Sequence, residues 1–398
     1  MHDETRCVIP SPVNLNGYDS LTVPVYRAST IRYPDAASFI SRFERGADGY
    51  VYGLYGTPTH RHLEFKISEL HGGVRTVLAP SGQAAITISL LAILQHGDRI
   101  LLPDTAYGPV RDFAVNEARS LGIVAEFYDP LDVDTLSRLL KNKTRLVWVE
   151  TPGSITMEMQ DLPRIVALAR SAGALVGCDN TWASPINFRP LEHGADIVVE
   201  ALSKHLGGHS DLLLGSVTVR DEVLGFRLKA AFGRLGIGVS PDDCVLALRG
   251  IETLAVRLAR ASASALAIAE WLVQHPLTDQ ILYPALPGAP GHEIWKRDFA
   301  GACGVFTFTV DPMFAEGVPA ALDAFELISI GASWGGTRSL IAPTSVKGQR
   351  TAVPWAGPEQ LLRISIGMEH PDDIQLDLER FFNALSAPIS TVARAMER

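Results

Sequence analysis

The sequence predicts an α/β protein, with a large domain built on a mostly parallel sheet and a smaller α+β domain after it. Three observations carry that expectation. Short, nearly continuous apolar runs recur between helical tracts from residue 74 to residue 219, the pattern of strands buried on both faces. The chain has 398 residues, more than one hydrophobic core usually fills, so two unequal domains are expected. After a long helical tract over 241–273 the pattern changes to scattered strands and helices.

In chain order, residues 1–60 carry prolines, aromatics and arginines with little periodicity, and they read as an arm laid over a partner surface. The apolar run 74–78 leads into a helix over 83–94, and 99–102 leads into one over 110–120. Strands come next at 123–128, 145–150, 174–179, 197–202 and 212–219. The helical tract 241–273 bridges to strands at 281–284, 304–310 and 361–366, a helix over 320–327 and a last helix over 372–385. The expected division is an arm (1–60), a large domain (61–250) and a C-terminal domain with the bridging helix (251–398).

Composition narrows the function. A net charge of −9 without any basic run argues against nucleic acid or an anionic membrane as partner, which leaves a small molecule as the expected ligand. Cys7, Cys178, Cys244 and Cys303 show no metal-site spacing, so buried free thiols in a reducing compartment are expected, with no metal site. The acidic first residues lack the apolar core of a secretory signal, and the apolar stretch 84–94 is too short to span a bilayer. A soluble, cytoplasmic protein is the expectation.

The chemistry gathers at strand ends. Lys204 comes after the strand-like run 195–200 at a turn of small residues, and Asp179 ends the apolar run 174–178. Most lysines lie on solvated faces. A lysine and an acid at the ends of nearby strands, however, suit a pyridoxal phosphate (PLP) enzyme, in which the lysine forms a Schiff base and the acid keeps the pyridine nitrogen protonated. Ser81-Gly82-Gln83 joins a strand to a helix, where backbone N–H groups can meet a phosphate, and Ser203 can add a hydroxyl. Tyr107 stands after another strand, where it is either an aromatic lying on a cofactor ring or a core tyrosine. Arg363 interrupts an apolar strand and needs a partner, either a substrate carboxylate or an acid such as Glu369.

Two rival motifs are weak. Gly331-Ala332-Ser333-Trp334-Gly335 matches a hydrolase nucleophile elbow, but Gly335-Gly336-Thr337-Arg338 makes a poor helix start and no aspartate lies between Ser333 and His370. His205 and His209 have the spacing of a metal pair, but Gly207 and Gly208 break the helix that this spacing needs.

Together these stretches resemble the Cys/Met-metabolism family of PLP-dependent enzymes over nearly the whole chain. They include YGLYGTPT at 52–59, PSGQAAI at 80–86, DTAYGP at 104–109, VETPGSITMEM at 149–159, CDNTWASP at 178–185, ALSKHLGGHSD at 201–211, LALRGIETLAVRL at 246–258, ASWGG at 332–336 and LLRISIGMEH at 361–370. The Gly153-Ser154-Ile155-Thr156 and Ser333-Trp334-Gly335-Gly336 versions are most similar to the cystathionine β-lyase branch. The resemblance implies a fold type I, aspartate aminotransferase-type large domain with a seven-stranded sheet.

It also implies roles. Lys204 is the Schiff-base lysine and proton shuttle, Asp179 is the partner of the pyridine nitrogen, and Tyr107 stacks on the ring. Gly82, Gln83 and Ser203 hold the phosphate. Ser333, Trp334 and Arg363 bind substrate, and Tyr52 reaches the site of a neighbouring subunit, so that a dimer at least, commonly a tetramer, is implied. The implied reaction is α,β-elimination of L-cystathionine to homocysteine, pyruvate and ammonia. A γ-acting member of the same family and a non-catalytic binding relative are the alternatives. Leu54 stands where many relatives place an arginine, Ala201 where a serine is common, and Ala332 where the β-lyase pattern has a tyrosine. The first two thin the phosphate site; the third reshapes the pocket for the distal half of the substrate.

Overall fold

The structure, a computed structural model, describes residues 16–17, 19–140 and 144–396. Cys7 therefore lies outside the described residues. A seven-stranded sheet is made of β1 (Arg75–Ala79), β2 (Arg99–Pro103), β3 (Val124–Tyr128), β4 (Thr144–Glu150), β5 (Leu175–Asp179), β6 (Ile197–Ala201) and β7 (Gly215–Val219). Their spatial order is β1-β7-β6-β5-β4-β2-β3, and only β7 runs antiparallel to its neighbours. The central strands read as apolar runs because helices cover both faces.

One face packs on helices Gly82–Ile93 and Glu222–Arg234, through Ile86, Leu90, Leu228 and Phe232 against Trp148, Val199 and Val217. The other face packs on helices Pro58–His71 and Leu162–Ser171, and that core runs on without interruption into the second sheet. Trp182 marks the join, donating its indole N–H to the Val305 carbonyl at 3.0 Å. Truncation of a buried aromatic of this size typically costs about 3–5 kcal/mol.

The second sheet comprises β8 (Thr278–Leu282), β9 (Val305–Val310), β10 (Ser329–Ile330), β11 (Leu340–Thr344) and β12 (Leu361–Ser365), in the order β10-β11-β12-β9-β8. Antiparallel pairing sets Arg363 of β12 between Ala342 of β11 and Thr307 of β9.

Several boundaries differ from the expectation. The tract 241–273 is two helices, Pro241–Glu252 and Leu254–Gln274, separated at Thr253. At the break the Arg257 guanidinium donates to the Gly250 carbonyl at 2.6 Å, helping to satisfy the end of the first helix, and to the His205 carbonyl at 2.8 Å. The helix expected at 110–120 is an α-helix over Gly108–Phe113 that widens into a π-turn over Ala114–Ala118. The helix expected at 320–327 covers Val318–Leu322, and the last helix runs over Pro371–Met396.

The helices Pro58–His71, Leu162–Ser171 and Glu222–Arg234 were not anticipated, although their starts carry recognisable signals. Asp161 and Asp221 accept backbone N–H bonds as N-caps, and Thr57 forms a capping box with His60. Between residues 19 and 57 only short helical turns form, and Phe39, Phe43, Tyr50 and Tyr52 are exposed. No helix among the described residues is long and apolar enough to cross a membrane.

Candidate active site

The carboxyl ends of β1, β2, β4, β5 and β6 face the second sheet across a cavity of about 240 Å³. Ligands of such sheets bind at this edge, where the strands end and loops can hold side chains over backbone dipoles. Lys204, Asp179, Tyr107, Gly82, Gln83, Ser203, Trp334 and Arg363 all line it. Ser333 joins them through its hydroxyl, which accepts a hydrogen bond from the Lys204 ammonium at 2.6 Å. Tyr52 does not line this chain's cavity; it stands half exposed on the arm.

The turn that presents Lys204 is fixed from below. Gly208, at φ +72°, lies so close to Arg257 that a Cβ there would meet its guanidinium at 2.0 Å. That same guanidinium holds the His205 carbonyl, so the residues on either side of the turn are pinned by one buried cation. The Lys204 nitrogen lies 5.2 Å from the centre of the Trp334 ring. Burial, with Arg363 adding repulsion, brings the Lys204 pKa down to about 8, so a large share of it is uncharged under mildly alkaline conditions.

Three acids stand around the strand ends, Glu200 buried and Asp179 and Glu150 half-buried at the cavity, and their surroundings differ. Asp179 accepts the Thr181 backbone N–H at 2.9 Å and a bond from the Thr181 hydroxyl, both of which oppose the rise in pKa that burial imposes. Glu150, beside Asp179 in the strand register, is pushed far up by burial and by that neighbour, although it accepts the Tyr107 backbone N–H at 2.7 Å. Glu200 is likewise pushed far up, while its partner His71, 2.9 Å away, is brought down to about 3 by burial and by Arg189. Burial thus disfavours the charged form of each member of that pair. Asp179 is left as the acid best placed to carry negative charge at the cavity.

Arg363 donates to the Ala332 carbonyl and has no carboxylate partner among the described residues. Glu369, the structural partner considered from the sequence, accepts instead from Ser339, at 2.7 Å from its backbone N–H and 2.9 Å from its hydroxyl. A guanidinium so placed is a carboxylate site in search of a ligand.

The side of the cavity at the start of the helix Gly82–Ile93 is built from backbone. A Cβ on Gly82 would lie 2.5 Å from the Ala201 Cβ, and one on Gly215 would lie 2.3 Å from the Ser81 carbonyl oxygen, so the helix Gly82–Ile93 starts almost in contact with the sheet. Its N-terminus opens on the cavity beside Ser203, and the Gln83 Oε1 is buried without a partner. Leu54 does not reach this place; it lines a separate small hollow with His60, Phe232 and Val239. The residues present fit PLP: neutral donors at a helix N-terminus for a phosphate, a hydrogen-bonded acid for the pyridine nitrogen, an aromatic wall and an amine of lowered pKa for the aldehyde.

The sequence profile of the Cys/Met metabolism PLP-dependent enzymes matches residues 4–383. The chain belongs to this family. Among relatives, it is 42% identical over 384 residues to a putative cystathionine β-lyase of Rhizobium johnstonii, covering 94% of each chain. It is 37% identical to cystathionine β-lyase of Escherichia coli K12, covering 90% of this chain and 92% of that one. An L-alanine/L-glutamate racemase of Wolbachia pipientis wMel is 36% identical, with 94% and 96% covered. The structure of a cystathionine γ-synthase from Xanthomonas oryzae pv. oryzae in complex with cystathionine superposes with a TM-score of 0.84 at 32% identity, covering 94% and 95%. This Cys/Met-metabolism enzyme is accordingly PLP-dependent, with the fold that its sequence pattern implied. Glu150, Thr181 and Arg257 were given no role from the sequence. Glu150 stood within the family-like stretch 149–159, and its place at a strand end beside that of Asp179 was the available signal.

Proposed function

We propose that this PLP enzyme is a carbon–sulfur lyase that cleaves L-cystathionine, or a related cysteine thioether, by α,β-elimination to a thiol, pyruvate and ammonia. What supports the reading above all is the convergence of an amine of lowered pKa, an unpaired guanidinium and a hydrogen-bonded acid on one cavity, in a chain closely similar to named β-lyases. When bound, PLP supplies an electron sink that lets charge at the substrate Cα spread into its ring.

The chain's own residues do the rest. Lys204 holds the cofactor between turnovers and, once free, takes the Cα proton; Ser333 steadies its nitrogen. Asp179, fixed by Thr181, keeps a proton on the pyridine nitrogen. Burial favours the protonated form at both Glu150 and Glu200. Gly82, Gln83 and Ser203, which line the cavity, would hold the phosphate, and the Tyr107 ring would pack against the cofactor. Arg363 and Ser333 bind the α-carboxylate, while Trp334, Ile155 and Met157 form an apolar wall for the thioether arm. The thiol leaves from Cβ and takes up a proton, and water completes the release of pyruvate and ammonia. Residues 61–250 form the cofactor domain in this reading, 251–398 supply the carboxylate anchor, and the exposed tyrosines of the 1–60 arm meet a second copy of the chain, where Tyr52 reaches the neighbour's site.

The Wolbachia relative favours one second reading, amino-acid racemisation, which starts from the same proton removal at Cα. Incubating the PLP-loaded protein with L-cystathionine, L-alanine and L-glutamate separates them. Pyruvate with homocysteine supports the lyase; D-amino acids without keto acid overturn it; 2-oxobutyrate from cystathionine moves it to the γ-acting branch.

A further inference from the structure

The connection between β11 and β12, residues 345–360, leaves the second sheet and is fastened to two loops of the first. One fastening is Asp104, whose carboxylate is completely buried. It accepts backbone N–H bonds from Thr351 at 2.9 Å, Ala352 at 2.7 Å and Val353 at 3.1 Å, together with the Arg111 guanidinium at 2.8 Å. Asp104 opens the loop that carries Tyr107. The other fastening is Arg350, which grips both oxygens of Glu158 and donates to the Thr156 hydroxyl at 2.7 Å. Both Thr156 and Glu158 belong to the loop that carries the cavity residues Ile155 and Met157.

That loop is held against its own preference. Ile155 sits at φ 68° and Met157 at φ 55°, the left-handed region that side chains, β-branched ones above all, avoid. Such a conformation persists only where surroundings impose it. Beside the loop's own backbone bonds and one from Ser154 to the Thr105 carbonyl, part of these surroundings comes from the C-terminal half: Arg350 holds the loop at Thr156 and Glu158, and the buried Thr307 of β9 donates to the Ile155 carbonyl at 2.6 Å. Thr307 lies opposite Arg363 in the β9–β12 register.

We propose that Arg350 and Asp104 are positioning residues for the amino-acid substrate: by strapping the β11–β12 connection onto the two loops, they fix the Ile155 and Tyr107 walls relative to the Arg363 anchor. Neither residue lines the cavity, and both act through the loops that do. The inference rests on the reading of the cavity as an amino-acid site anchored by Arg363.

The test uses the full-length, PLP-loaded protein and Arg350→Met. KM for L-cystathionine rises about tenfold, kcat stays within about threefold, the visible absorbance of bound PLP is unchanged, and amides of 153–158 exchange faster with deuterium. Arg350→Lys, which can pair with Glu158 but cannot bind both of its oxygens and Thr156 together, recovers part of the KM. A wild-type KM with only a lowered melting temperature overturns the proposal. If Arg350→Met does not fold, Glu158→Gln, which keeps the bulk and loses the charge, raises KM at least threefold; an unchanged KM overturns the proposal equally. If the unsubstituted enzyme cleaves no thioether, the lyase reading fails alone. The strap is then read by the same deuterium exchange and by the affinity for glycine, monitored through the cofactor absorbance, which must weaken in Arg350→Met.

Discussion

The Lys204 nitrogen and the Ser333 hydroxyl oxygen lie 2.6 Å apart, although 129 residues separate them in the chain. The contact ties the turn after β6 to the loop after β10 through a single hydrogen bond. Lys204→Ala should abolish pyruvate formation. Ser333→Ala removes one bond to a charged group, a loss of about 1.5–3 kcal/mol, and should lower kcat/KM by about 10- to 100-fold. Pyruvate release from L-cystathionine measures both, and substantial turnover by Lys204→Ala would refute the assignment.

The lowered pKa of Lys204 has its own signature. Burial and Arg363 disfavour the charged amine, so its proton leaves near pH 8 instead of near 10.5. Only the uncharged amine attacks an aldehyde. The rate at which apoprotein takes up PLP should therefore climb about tenfold per pH unit below pH 8 and level off above it. A rate still climbing at pH 10 would show that the amine is unperturbed.

Asp179 and Glu150 are neighbours in the sheet register, yet their substitutions should diverge. Asn at 179 cannot keep a proton on the pyridine nitrogen, and turnover should fall by about 10²- to 10⁴-fold while PLP still binds. Gln at 150 imitates the protonated carboxyl group that desolvation favours there, so kcat should stay within about threefold. Equal losses at the two positions would contradict the charge assignment.

Removing the Arg363 guanidinium should be felt in KM. Truncating one partner of a buried charge pair costs about 2–5 kcal/mol, so Arg363→Met should raise KM for L-cystathionine by at least about thirtyfold. Lysine, a point charge without the fork, should recover only part of this. An unchanged KM would place the carboxylate elsewhere.

Ala201 faces the phosphate side of the cavity without a hydroxyl. Ala201→Ser should tighten PLP binding by about five- to tenfold, the worth of roughly one added hydrogen bond of 1–1.5 kcal/mol. Equilibrium dialysis or absorbance titration of the apoprotein with PLP reads the change.

The sequence alone determined the features that local pattern encodes. Apolar runs between helical tracts marked the buried strands, and a lysine, an acid and a Ser-Gly turn at their ends marked the edge where the cavity lies, because strand ends and helix starts are set by residues close together in the chain. Helices opened by Asp161 and Asp221 were missed although their caps were there to read. Tertiary structure decided the rest. That Arg363 lacks an acid partner among the described residues, that Arg257 bonds both the end of one helix and the Lys204 turn, and that Glu150 is pushed towards its protonated form beside Asp179 all depend on neighbours brought from distant segments. Burial acts on groups through what surrounds them in space, and no local stretch of sequence carries that information.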